Sequence, residues 1–122
     1  MSSIIHKKAY QEFLNLLREL ARQGISTESM LATTNNREIW TELKYTFEET
    51  IIPLTDEELE GDIASRWISL QAEIQRSFRL LNTDWLFLMS SRQITTKKAR
   101  EKAFLARLDR LIEYCQAMLT VI

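Results

Sequence analysis

One histidine and one cysteine are all the chain offers toward the commonest catalytic and metal-binding chemistry. A zinc site draws on several His or Cys ligands, and His6 with Cys115 cannot supply one. A carboxylate-bridged di-iron bundle needs inward Glu-x-x-His pairs, and the sequence contains none. Ser90 and Ser91 have no neighbouring base to take their protons. Two glycines leave no material for a phosphate-cradling loop. His6, close to the N-terminus, reads as a solvated surface residue. Cys115 follows the apolar rhythm of its surroundings and reads as a buried, inert thiol. The residues therefore predict no enzyme, no cofactor and no metal, and turn attention to surfaces.

Three segments stand out. Lys97, Lys98, Arg100 and Lys102 fall at the start of a predicted helix, where positive charge opposes the helix dipole at about 0.3–1 kcal/mol per well-placed charge. With Arg92 they form a basic tip. A plain solvated helix end accounts for it, and so does a surface for an acidic protein partner. Between Leu80 and Met89, apolar side chains point in nearly every direction around the helix axis, where a surface helix would keep one face polar. Either this stretch is central to the core, or its outer side meets another subunit through Trp85, Leu86, Phe87 and Met89. Asp84, in the middle of it, needs a partner if buried; Arg107 and Arg110 are the candidates. Finally, seven acids and no base lie between Glu48 and Asp62. Helix-start electrostatics and solvation explain most of that run.

The elements that must position these residues are helices. Two Gly and one Pro in 122 residues cannot furnish the tight turns a strand-rich fold requires. The spacing of Ile5, Ala9, Phe13, Leu16, Leu17 and Leu20 predicts a first helix from about Ser3 to Gln23, capped by Ser2 or Ser3 and closed at Gly24. Residues 25–36 are rich in Ser, Thr and Asn, which compete with helical backbone bonding; Met30 and Leu31 suggest a short turn there. Asn36 then caps a second helix with Ile39, Trp40, Leu43, Phe47 and Ile51 inward, ended by Pro53. Thr55 and Glu58 form a capping box that predicts a third helix from about Asp56 to Ser91, with Gly61 as a break and Asp62 as an alternative cap. Its core positions are Ile63, Trp67, Leu70, Ile74, Phe78, Leu81, Trp85 and Leu88, close to a heptad rhythm. After a link at Gln93–Thr96, capped by Thr95 or Thr96, a fourth helix places Phe104, Leu108, Leu111, Cys115, Met118 and Ile122 inward. So short a link forces the last two helices antiparallel. The expected architecture is all-α: one domain over residues 1–122, a four-helix up-down bundle with a long helix 3–helix 4 hairpin.

Composition sets outer bounds. Apolar residues make up 45% and charged residues 27%, with a net charge of −1, so a global basic field for nucleic acid is absent. A lone cysteine excludes an internal disulfide. No apolar run reaches the roughly 18 residues of a membrane span, and Met1 to Ala9 lacks the apolar core of a secretory signal. The default expectation is a cytoplasmic protein.

The segment Arg79 to Arg100, RLLNTDWLFLMSSRQITTKKAR, with Ser65-Arg66-Trp67 before it and Tyr114-Cys115-Gln116-Ala117 after it, resembles the PatD family, which controls heterocyst frequency in cyanobacteria. The likeness covers roughly Ser65 to Leu119. None of these strings is a catalytic signature; the resemblance lies in their order and spacing. It implies a cytoplasmic, non-enzymatic adaptor that binds the cell-division protein FtsZ and modulates its filaments, linking division to differentiation. It carries no catalytic residue with it. Bridging filaments takes two binding surfaces, which a homo-oligomer, a dimer foremost, supplies. A nucleic-acid-binding developmental regulator and a structural subunit of a larger complex are the alternatives.

Overall fold

The structure is a computed structural model and describes residues 4–23 and 34–122. The expected caps at Ser2 or Ser3, the helix stop at Gly24 and the turn at Met30 and Leu31 lie outside the described residues. Four helices order the rest: α1 (Ile4–Gln23), α2 (Thr34–Thr46), α3 (Gly61–Ser90) and α4 (Ile94–Val121). The bundle is all-α and runs up-down-up-down. α1 packs on α2 and on α4, and the most extensive contact is between α3 and α4.

The directions follow from ring contacts. Phe47 meets Phe13 and Phe78, while Trp40 stacks on Trp85, so α2 runs against α3. α2 and α3 face one another through this aromatic layer. Trp40 and Trp85 stack at 4.8 Å between centroids and 11° between planes, and Phe47 and Phe78 at 4.3 Å. Such pairs add about 0.5–1.5 kcal/mol each beyond the area they bury.

α3 and α4 bury the residues their periodicity predicts. Trp67, Ile74, Phe78, Leu81, Trp85 and Leu88 on one helix, and Phe104, Leu108, Leu111, Cys115 and Met118 on the other, are all buried. Ile63, Leu70 and Ile122 are half-buried. Gln71 and Ser77, which the apolar pattern passes over, are buried among them. Asp84 has the partner expected of it: Arg107 Nε donates to Asp84 Oδ2 at 2.5 Å across the hairpin.

α1 departs from its predicted stripe. Because it contacts helices on two sides, it buries a wider face, which takes in His6, Tyr10 and Leu14 beside Ala9, Phe13, Leu17 and Leu20. Ile5 is 65% exposed, and Leu16 is half-buried. His6 corrects its reading as a solvated residue: it is buried, edge-on to Trp67. Its Nε2 donates to the Thr55 carbonyl at 2.7 Å.

α3 starts later than predicted. A helix beginning at Thr55 would have the Thr55 carbonyl accept from Leu59 N; instead that carbonyl accepts from His6 Nε2, and Leu59 N bonds Asp56 O at 3.0 Å. Asp56–Leu59 closes as a turn, and α3 begins at Gly61 with Glu60 extended and no side-chain cap. The capping box at Thr55 and Glu58 is therefore not formed. Neither is the predicted Asn36 cap, since α2 is already helical at Thr34 and Asn36 is buried within it. The chain widens into a π-helical turn over Phe47–Ile51, where Ile52 N reaches back to Phe47 O. Phe47 and Ile51 are both in the core, just before Pro53, whose ring an α-helix would not admit.

Candidate functional site

The end of α3 splits the predicted self-association group in two. At about 100° per residue, Trp85 and Leu88 turn inward while Leu86 and Phe87 turn out. Trp85 is a core residue stacked on Trp40, not a surface one, and Met89 is half-buried against the core. Both therefore leave the candidate surface. Leu86, 58% exposed, and Phe87, 49% exposed, stay on it.

At the end of α3, Ser90 Oγ and Ser91 Oγ both donate to Phe87 O, at 3.1 and 2.8 Å, and Ser91 turns extended. Gln93, and not Thr95 or Thr96, caps α4, with its carbonyl accepting from Lys97 N at 2.9 Å. The early start makes Ile94 a helical residue, 68% exposed, beside Leu86 and Phe87 at the hairpin tip. The predicted link over Gln93–Thr96 had hidden Ile94; its apolar side chain at a link boundary was the signal.

The basic residues share this stretch of the chain. Arg92, Lys98 and Lys102 are exposed; Lys97 and Arg100 are half-buried. The Arg100 guanidinium lies 4.7 Å over the Phe87 ring, close enough for a cation–π attraction. This contact joins the two predicted groups into one patch. No acid stands in the first turn of α4, so the helix dipole and the lysines reinforce one another in a positive potential. Between Arg92 and Lys102 there are five bases and one acid, Glu101.

Elsewhere the polar chemistry is locked into the core. Burial pushes the Cys115 thiol up to about 12. Burial, aided by Cys115, holds the Tyr10 phenol well above its usual range. Trp67 pulls that phenol slightly the other way, yet neither Tyr10 Oη nor Trp67 Nε1 makes a well-formed hydrogen bond. Neither group is poised as a nucleophile or base near neutrality. Among the described residues, no three His, Cys, Asp or Glu side chains are grouped to hold a metal ion, and no helix is long and apolar enough to cross a membrane.

No protein-family model, no curated protein and no solved structure matches the chain.

Proposed function

We propose that the chain is a non-enzymatic adaptor that binds an acidic protein surface through the tip of the α3–α4 hairpin. One observation carries this reading: Leu86, Phe87 and Ile94 are exposed at a hairpin tip whose chain also carries Arg92, Lys97, Lys98 and Lys102, with Arg100 over the Phe87 ring. Interface centres draw on aromatic anchors and Arg, and charge around them steers the encounter and selects the partner. The exposed apolar side chains favour a protein surface over a duplex held through its backbone, which calls for cations alone.

The resemblance of Arg79–Arg100 to the PatD family supplies the named partner, the cell-division protein FtsZ, with modulation of its filaments as the consequence and control of differentiation frequency as the output, in the cytoplasm. Co-pelleting with FtsZ at low salt tests it. The expected result is a change in pelleted FtsZ mass that Lys97→Glu with Lys98→Glu weakens by about tenfold in affinity, equal to about 1.4 kcal/mol. Unchanged FtsZ pelleting at every ratio of the two proteins would sink the named partner. Unchanged affinity in the double variant would remove the tip from the site.

A further inference from the structure

The two ends of the bundle are opposite in charge, and both carry uncovered apolar side chains. One end is the hairpin tip. At the other lie the end of α2, the connection through residues 52–60, and the start of α3. Every acid from Glu48 to Asp62 is exposed there. Among the described residues, Lys7, Lys8 and Arg66 are the bases of this end and leave acids in excess. Ile5 is 65% exposed and Ile52 42% exposed. A groove of about 580 Å³, lined by Ile5, Pro53 and Leu54 together with Lys8, Glu12 and Glu49, runs along the flank from this end. Its size and mixed apolar and acidic lining suit a large apolar side chain flanked by bases.

These patches do not meet within one molecule. Along α3, Phe87 lies about 38 Å from Asp62 and about 14 Å from Phe78, the level at which Phe13 and Phe47 place the groove residues Glu12 and Glu49. Both separations exceed the Debye length of about 8 Å at physiological salt. Their attraction is satisfied only between copies. With a net charge of −1, copies do not repel one another overall.

We propose that the chain associates with itself head to tail, the basic and apolar tip of one copy docking on the acidic, grooved end of the next, with Phe87 and Leu86 entering the groove. The two patches differ, so the contact is heterologous. It extends copy by copy into an array, or a ring where the rotation closes, and does not stop at the two-fold dimer that the sequence suggests. This assembly is independent of FtsZ and is measured on the chain alone.

Sedimentation velocity of the full chain across concentration reads it directly. The average mass should rise past that of a dimer at low salt, and the association constant should fall at least about tenfold in about 1 M salt. Two variants at exposed or half-buried positions give the decisive arm: a tip variant, Phe87→Gln with Lys97→Gln and Lys98→Gln, and a tail variant, Ile5→Gln with Glu49→Gln and Glu58→Gln. Each should keep the helical circular-dichroism spectrum and associate at least about tenfold more weakly alone. Mixed in equal amounts, they should form a heterodimer and nothing larger, because one retains the tail and the other the tip. No association at about 0.5 mM chain and low salt overturns the proposal. So does a tail variant that associates like the parent chain, the mark of a tip-to-tip contact, and so does a mixture that stays monomeric.

Discussion

Trp85 and Phe87 stand two residues apart on one helix, both large aromatics, in opposite environments. Trp85 lies between Trp40 and Phe104, in a layer that continues through Phe78, Phe47 and Phe13. Phe87 has one side against the Arg100 guanidinium and the other in water. A rotation of about 200° between them decides which face each takes. The contrast separates two uses of the same side-chain chemistry. Rings that meet rings fix helix directions and stability; a ring that meets only a cation and solvent leaves apolar area for another surface.

Removing the inner ring is the harshest way to test this contrast. Trp85→Ala deletes the stack on Trp40 and the contact with Phe104, and should cost about 3–5 kcal/mol. The urea midpoint of the variant reads this, and a loss under about 1 kcal/mol would mean that the ring is not part of the core.

A milder probe is alkaline pH, which acts on the interior and spares the tip. Cys115 is buried against α1 and titrates only near 12, against an ordinary value of 9.0. The folded chain keeps the thiol proton where the unfolded chain has lost it. Stability is therefore at its full value below 9.0 and falls as pH rises from there toward 12, by at most about 1.4 kcal/mol per pH unit from this group. Urea midpoints at about pH 8 and about pH 10 measure the slope, and Cys115→Ala should flatten it. A slope unaltered in that variant would assign the alkaline loss to other groups.

The gentlest change is at the tip. Phe87→Ala gives up a half-exposed ring and a cation–π contact worth about 0.5–1 kcal/mol. The stability loss should stay within about 1 kcal/mol, while self-association falls markedly. A loss as large as that of Trp85→Ala would erase the difference between the two rings.

Much of the architecture was legible in the chain because it rests on period alone. Phe78, Leu81, Trp85 and Leu88 on α3, and Phe104, Leu108, Leu111 and Cys115 on α4, are buried as their spacing of three and four predicts. Asp84 demanded a partner by the same logic and has one in Arg107. Boundaries and buried polar groups were not legible. His6 is taken up by a carbonyl 49 residues away, and Gln71 Nε2 by the Ile51 carbonyl at 2.9 Å. Nothing local announces such long-range partners. The tip was half legible: its basic residues and the outward Leu86 and Phe87 were read as two separate features. Only the crossing of Arg100 over Phe87 joins them.

By itself, the sequence determined that the chain forms long helices, which faces of α3 and α4 turn inward, and that the last two helices return on each other. Those outcomes follow from side-chain periodicity and from a shortage of turn-forming residues, both properties of the chain before it folds. Tertiary structure alone decided that His6 is buried, which residues widen the buried face of α1, and that the basic and apolar features of the tip adjoin. Each of these depends on a neighbour from another part of the chain: Trp67 and the Thr55 carbonyl for His6, α2 and α4 for α1, and Arg100 for Phe87.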